Sequence, residues 1–282
     1  MAGTEHLDWG AKALWSELVQ QLPGLSIDVL ARCDSTNSTL LDRVRSQQMS
    51  SRDYGRRDGD LRPSILVAEH QTQGRGRMGR AWHSTPGASL TFSLGLALDD
   101  SQLAGLSLAV GCAIAEALEP ATEAAPRITL KWPNDLWLDG AKLGGILIET
   151  LAAGAQRLVV IGIGLNVNDG AQPAEASLST GFASLQRLYP GITAPETLAR
   201  VARGLVHMLA NYQGLAAWSA VYARRDALAG HTVVAGALEG VARGITEEGG
   251  LRLQTAQGEQ VLNSGEVSVR LSAQVSSQPG SL

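Results

Sequence analysis

Cysteine is scarce in this chain: only Cys33 and Cys112 occur among 282 residues. With no Cys/His cluster beside them, they supply neither a disulfide framework nor a zinc site, and both read as reduced, packed thiols. The five histidines, His6, His70, His83, His207 and His231, show no nucleophile or metal-ligand spacing, and His207 beside Met208 reads as structural. No apolar run approaches the roughly 20 residues needed to span a bilayer, and the N-terminus lacks the charged and apolar regions of a signal peptide. A membrane partner is therefore not expected, and the default compartment is the cytoplasm. No Walker A sequence is present. Acidic residues are missing between His70 and His83, so that stretch is locally positive although the whole chain carries a formal charge of -4. The contrast favours a small bound anion such as phosphate over a nucleic-acid track.

What fills the acid-free stretch is Gln73-Gly74-Arg75-Gly76-Arg77-Met78-Gly79-Arg80-Ala81-Trp82. Glycine lets a backbone approach a ligand closely, and guanidinium forks bind carboxylate or phosphate oxygens in pairs, so the segment reads as a mobile cationic clamp. Taken alone, Arg75, Arg77 and Arg80 read equally well as solvated loop charges. The glycine spacing also matches the dinucleotide fingerprint, behind the strand-like Ile65-Leu66-Val67-Ala68. That fold needs a helix opening at the third glycine, whereas Trp82 to Gly87 breaks any helix.

The length, with 44% hydrophobic residues, is enough for one sizeable core and a smaller second one. An amphipathic segment with Leu7, Trp15, Leu18 and Leu22, ended by Pro23-Gly24, predicts a capping helix. Thr36 to Gln48 predicts a helix with a Ser or Asp N-cap. Residues 50 to 62 mix charges with almost no apolar content, which predicts a disordered surface insertion without catalytic role. Strands are predicted at Ile65 to Glu69, Ser89 to Leu98, Ile128 to Trp132, Asp135 to Leu138, Gly145 to Glu149 and Leu158 to Val167, forming one mixed sheet. Leu103, Leu106, Val110, Ala113 and Ala117 recur at helical steps, as do Leu198, Val201, Leu205, Met208 and Tyr212. A last helical stretch reaches about Asp226. Short strands between Gly-Gly and Gln-Gly turns then predict a small β-barrel. The expected organisation is an α+β catalytic domain over 1–228, a β domain over 229–272 and a loose tail over 273–282. Trp9, Trp15, Trp137 and Trp218 read as packing residues.

A second cluster lies downstream: Lys131-Trp132-Pro133-Asn134-Asp135, then Lys142-Leu143-Gly144-Gly145, then Gly162-Ile163-Gly164-Leu165-Asn166. Each places polar groups at strand edges. Individually, Lys142 reads as a solvated lysine and Asn134-Asp135 as turn chemistry after Pro133. Gly144 and Gly145 weaken a strand interior, and a ligand lying on the backbone is one physical reason to accept that cost.

Together with Ser35-Thr36-Asn37, Glu69-His70-Gln71 and Gly265 to Arg270, these motifs resemble, in the same order, those of the biotin protein ligases. The resemblance spans about 28 to 271. It implies a central mixed sheet of the class II aminoacyl-tRNA-synthetase type followed by a small SH3-like barrel. The implied reaction has two steps. The biotin carboxylate attacks the α-phosphate of ATP, giving biotinyl-5'-adenylate and pyrophosphate, and a lysine of a biotin carboxyl carrier protein then takes the biotinyl group. The first nucleophile is already ionised, so this step calls for charge neutralisation and in-line positioning. The second is an amine of pKa about 10.4, of which only about one in a few thousand is neutral at pH 7.

Carried over residue by residue, the resemblance implies that Ser35, Thr36, Asn37 and Gln71 contact the ureido ring. Trp132, Leu143, Gly144 and Gly145 would line its apolar sides. Arg75 with Gly76, Arg77 and Lys142 would hold the biotin carboxylate and the α-phosphate, with Arg80, Lys131 and Asn134 near the nucleotide phosphates. Trp82 and Asn166 resemble the adenine contacts, and Asp135 is the candidate for steering the incoming lysine. An N-terminal serine at a helix start serves capping and ligand binding with the same polar edge. Mg²⁺ would ride on the triphosphate, without a dedicated metal cage. The loop from Gly74 would order over the adenylate. A homodimer is allowed. Three alternatives of other classes stand beside this reading: a lipoate or octanoate ligase or transferase, a non-catalytic binder, and a DNA-binding regulator. For the last, only 34 residues precede Ser35 and they hold no basic recognition helix, so DNA is not an expected partner.

Overall fold

A computed structural model of the chain describes residues 6–53, 61–153, 156–172, 180–263 and 269–272. Its larger sheet contains β1 (Ser26–Cys33), β2 (Ser64–Gln71), β3 (Ser89–Leu98), β4 (Ile128–Lys131), β5 (Asp135–Leu138), β6 (Ala141–Ala153) and β7 (Gln156–Asn166). Their order is β1-β2-β3-β7-β6-β5-β4. Only β1 and β2 run parallel; each other neighbouring pair is antiparallel.

Period-two alternation in β3 shows how the sequence builds both faces. Leu90, Phe92, Leu94 and Leu96 point into the main core, where they meet α3 (Leu106–Leu118) and α4 (Ala194–Ala210). The alternate residues Ser89, Thr91, Ser93 and Gly95 form a small-residue face, which is covered in part by α2 (Thr36–Asp53). Leu40 and Leu41 of α2 pack there on Leu66, Leu158 and Val160 in a separate cluster. The close approach of α3 and α4 needs Gly204, whose added Cβ would stand 2.8 Å from that of Ala117. Thr193 and Glu196 form a reciprocal capping box at the start of α4. Helix α1 (Ala11–Leu18) packs on β1, and the chain ahead of it is pinned by Glu69, which accepts from the Leu7 amide (3.0 Å) and Trp9 Nε1 (3.2 Å).

A second, antiparallel sheet contains β8 (Thr232–Ala235), β9 (Leu238–Ile245), β10 (Leu251–Thr255), β11 (Gly258–Leu262) and β12 (Val269–Leu271), in the order β11-β10-β9-β8-β12. Among the described residues this gives a separate five-stranded antiparallel sheet where the small β domain is expected. Ahead of the second sheet in the chain, α5 (Ser219–Arg225) packs on α3 and β4, and its Arg225 is buried against Glu116 and Glu119.

Several elements differ from the sequence reading. Strand β1 is additional: as a half-exposed edge strand, Ser-Ile-Asp-Val-Leu-Ala-Arg-Cys carries no clean alternation. Helix α2 continues to Asp53, into the segment expected to be disordered from 50, because no glycine or proline interrupts it before Gly55; residues 54–60 lie outside the described residues, as does the tail from 273. Ser35 directly precedes α2, and Gln71 Oε1 on the neighbouring β2 accepts from the Thr36 amide at 2.7 Å, a support that local sequence does not reveal. Trp15 is 42% exposed, and the apolar side of α1 is Leu14 and Leu18. Strand β6 is more than twice as long as expected, because β5 and β7 pair with it on either side and absorb the cost of its glycines. Among the described residues no helix is long and apolar enough to cross a membrane.

Candidate active site

The site stands on the small-residue face of the sheet, and strand register builds its floor. Thr91, Gly164, Gly145 and Asp135 form one cross-strand row, and Ser93, Gly162 and Leu147 form the next. Directly paired residues share a face. The glycines leave room for side chains arriving from above. A Cβ on Gly162 would lie 2.3 Å from Asn37 Oδ1, and one on Gly164 would lie 2.4 Å from Trp82 Cε2. Asn37 and Trp82 therefore rest on bare backbone.

Around Asn37 the polar groups are linked. Thr36 Oγ1 donates to Gln71 Oε1 (3.1 Å), and Ser93 Oγ lies 2.6 Å from both Thr36 Oγ1 and Asn37 Oδ1. Asn37 Nδ2 donates to the Leu147 carbonyl (3.1 Å) and to Glu149 Oε2 (2.9 Å). Glu149 also receives both ends of a contact from Arg75 Nη2, at 2.8 and 3.0 Å. Ser35, Thr36, Asn37 and Gln71 are thus brought together as the sequence suggested, all buried. Ser93 and Glu149 are functional candidates that sequence reasoning missed. Their signal was parity: each shares a face with Gly162 and Gly164 through the register.

The glycine-arginine segment is a hairpin. Arg75 bridges Ala81, the Trp82 amide donates to the Gly74 carbonyl (2.8 Å), and the Gly76 amide donates to the Arg80 carbonyl (2.7 Å). Gly74 is required at its neck, where a Cβ would meet the Trp82 carbonyl at 2.4 Å. Met78 at the tip is 61% exposed. From this hairpin Arg77 Nη1 donates to Asn134 Oδ1 at 3.3 Å, while Asn134 Nδ2 donates to the Ile146 carbonyl at 2.8 Å. The next residue, Asp135, accepts from Lys142 Nζ at 2.8 Å. Flap arginine and sheet lysine therefore meet on adjoining residues of the Pro133–Asp135 turn.

This end of the site is cationic and partly desolvated. Burial, with the nearby Arg80 charge, lowers the pKa of Arg77 against the opposing pull of Asp135. Burial likewise lowers that of Lys131, helped by Lys142, Arg80 and Arg270 and opposed by Asp135. Depressed cations are groups whose charged form an arriving anion would stabilise. Lys131 also stands 5.1 Å from the centre of the Trp137 ring. Among the described residues no group of three or more His, Cys, Asp or Glu is arranged to hold a metal ion.

Some sequence candidates fall elsewhere. Gly144 does not face the site: by register it pairs with Leu165 on the apolar side, and its Cβ would meet the Gly164 carbonyl at 2.4 Å and Leu165 Cδ2 at 2.6 Å. Strand packing explains it, where a ligand on the backbone was expected. Gly145 does face the site, with Asp135 Oδ1 at 3.5 Å and Lys142 Nζ at 3.9 Å from its added Cβ. Leu143 is fully buried in the main core. Trp132 is likewise drawn away from the Asn37 cluster, because its indole is 1% exposed and donates to the Gly249 carbonyl of the turn between β9 and β10 at 2.9 Å. Asn166 spends Nδ2 on the Lys142 and Ala183 carbonyls, at 3.3 and 3.0 Å. Trp82 Nε1 is a buried donor with no partner among the described residues.

Comparison with known proteins agrees with this arrangement. Residues 29–166 match the model of the biotin/lipoate A/B protein ligase family, and residues 234–270 match that of the biotin protein ligase C terminal domain. The biotin--[acetyl-CoA-carboxylase] ligase of Mycobacterium tuberculosis is 33% identical over 260 residues, covering 86% of this chain and 88% of the relative. The bifunctional ligase/repressor BirA of Escherichia coli is 33% identical over 264 residues, covering 90% of this chain and 77% of the relative. Among solved structures, the biotin protein ligase from Aquifex aeolicus in complex with biotin and ATP superposes with a TM-score of 0.64 at 28% identity, covering 88% of this chain and 99% of that one. With both catalytic and C-terminal motifs matched along one continuous sequence, the chain belongs to the biotin protein ligases of the biotin/lipoate A/B protein ligase family.

Proposed function

We propose that this protein activates biotin with ATP to biotinyl-5'-adenylate and transfers the biotinyl group to a lysine of a biotin carboxyl carrier protein. The observation that carries the reading is the meeting of Arg77 and Lys142 on Asn134 and Asp135, beside the linked Thr36, Asn37 and Gln71 cluster. A pocket of neutral donors and acceptors suits the ureido head, and a cationic end suits the carboxylate and phosphates.

In the first step a carboxylate oxygen forms a bond to the α-phosphorus while the bond to pyrophosphate breaks. No proton moves, so Arg77, Lys142 and Lys131 contribute by matching charge where the two anions converge. Asn166 Oδ1 would accept from an adenine amino group, and Trp82 would supply the aromatic plane. In the second step the lysine nitrogen attacks the acyl carbon, AMP leaves, and the amine loses a proton. Asp135, one oxygen of which is paired with Lys142, would use the other to orient the amine. Mg²⁺ would enter with the triphosphate, since no protein cage is built among the described residues. A homodimer in the cytoplasm belongs to the same reading, and gel filtration with light scattering would check the assembly.

The test is pyrophosphate exchange into ATP with Mg²⁺ and biotin, lipoate or octanoate. Exchange with biotin alone supports the proposal; exchange only with lipoate or octanoate, or binding without exchange, refutes it.

A further inference from the structure

We infer that Trp132 is a positioning residue, through which the turn between β9 and β10 holds Asn134 and Asp135 in place. The inference rests on the proposed activity and concerns how the second sheet serves the same site. Trp132 lies immediately before the Pro133–Asp135 turn that gathers Arg77 and Lys142. Its indole is 1% exposed, and its single donor reaches the Gly249 carbonyl at 2.9 Å. A buried indole could be plain packing. The partner, however, is a backbone atom of the turn between β9 and β10, 117 residues away.

That partner is itself held firmly. The Thr246 amide donates to the Gly250 carbonyl (2.8 Å) and the Gly249 amide donates to the Thr246 carbonyl (3.0 Å), closing a tight turn. Gly249 has φ 85°, in the left-handed region, and an added Cβ would stand 2.9 Å from Gly105 Cα and 3.2 Å from Leu108 Cδ1 and Leu215 Cδ2. The tip of the turn is thus seated against the loop that starts α3. The Pro133–Asp135 turn is also tied to β6, where Asn134 Nδ2 donates to the Ile146 carbonyl (2.8 Å) and the Ile146 amide donates to the Asn134 carbonyl (2.9 Å). Ser107 Oγ donates to the Pro133 carbonyl at 3.3 Å. To these ties the Trp132 contact adds one that leads from the residue before the turn to the second sheet's β9–β10 turn.

Asn134 and Asp135 hold the cations that meet developing charge, so loosening them should weaken transition-state binding more than ground-state binding. Trp132→Phe keeps an aromatic ring but removes the donor together with the pyrrole part of the indole, so its urea unfolding is measured beside its kcat to separate lost packing from lost positioning. It should lower kcat for biotin-dependent pyrophosphate exchange about tenfold, the effect of one lost buried hydrogen bond, with KM for biotin and ATP changed less than about threefold. Gly249→Ala should give the same kcat-selective loss from the β9–β10 turn. The double variant should be no worse than the poorer single variant, because both act through one contact. Wild-type kcat in Trp132→Phe, parallel changes in kcat and KM, or fully additive losses would overturn the inference. If Gly249→Ala does not fold, the kcat of Trp132→Phe decides by itself. Lack of exchange in the unaltered protein would overturn the proposed activity and this inference together; normal exchange with an unaffected Trp132→Phe overturns the positioning role alone.

Discussion

Gly164→Ala adds one methyl group where the site has no room for it. Its Cβ would stand 2.4, 2.6 and 2.9 Å from Cε2, Cζ2 and Nε1 of Trp82. Carbon pairs settle at about 3.5 to 4.0 Å, so the indole must retreat by about 1 Å or more. The backbone offers no resistance to alanine, since Gly164 has no positive φ and its strand pairing with Thr91 and Gly145 is unaffected. The displaced element is therefore the flap that carries Trp82 and, five residues earlier, Arg77. A misplacement of about 1 Å costs on the order of 100-fold in a positioned reaction, or ~2.7 kcal/mol of barrier. Biotin-dependent pyrophosphate exchange should fall by about that factor in a protein with unchanged far-ultraviolet circular dichroism. Gly145→Ala is the matched control, because its Cβ meets nothing closer than 3.5 Å and the ligand-free fold admits it. Its exchange activity should fall only if a substrate lies over that residue. Gly164→Ala activity within twofold of the unaltered protein would show that the flap seat on β7 has no catalytic consequence.

Lys142→Ala should reduce exchange by about 100-fold or more if Lys142 has the proposed role of matching charge at the reacting phosphate, while costing only about 1 kcal/mol of stability from a partly exposed ion pair; near-normal exchange would refute the role. Arg77→Gly should release adenylate prematurely, seen by streptavidin blotting as labelled lysines on unrelated proteins, and no rise in stray labelling counts against it. Glu69 gives a pH prediction. Burial alone would raise its carboxyl, but hydrogen bonds from Trp9, His6 and the Leu7 amide outweigh that and hold it below its usual value. Such a group contributes stability above its unfolded pKa and loses it as pH falls through the lower folded value. The stability difference between the natural protein and Glu69→Gln should therefore be full at neutral pH and shrink on acidification below 4.5, as measured by urea unfolding; a difference independent of pH would exclude the effect.

Much of the site was legible because chemistry and spacing coincide in the chain. The three arginines among glycines announce anion recognition by residue type, the expected roles of Thr36, Asn37, Gln71 and Lys142 come through the family resemblance, and β3 and β5 follow from their apolar patterning with the bounds expected. The long helices α3 and α4 follow from recurrence every three to four residues. Harder to see were features whose signal is shared between distant segments. β1 is held in the sheet by β2, with little alternation of its own, and Ser93 becomes part of the site only because it pairs with Gly162, on which Asn37 rests.

Residue type and local periodicity thus determined which groups are present and which segments are helix or strand, since both depend on side chains near in sequence. Which way each group faces was decided only in three dimensions. Gly144 and Gly145 are neighbours in the chain, yet pairing with β7 turns one into the core and the other toward Asp135 and Lys142. Trp132 adjoins the Pro133–Asp135 turn but is drawn to Gly249. A one-residue difference reverses the face of a strand, and a buried indole goes where an acceptor is offered, and both are properties of the partner element rather than of the residue itself.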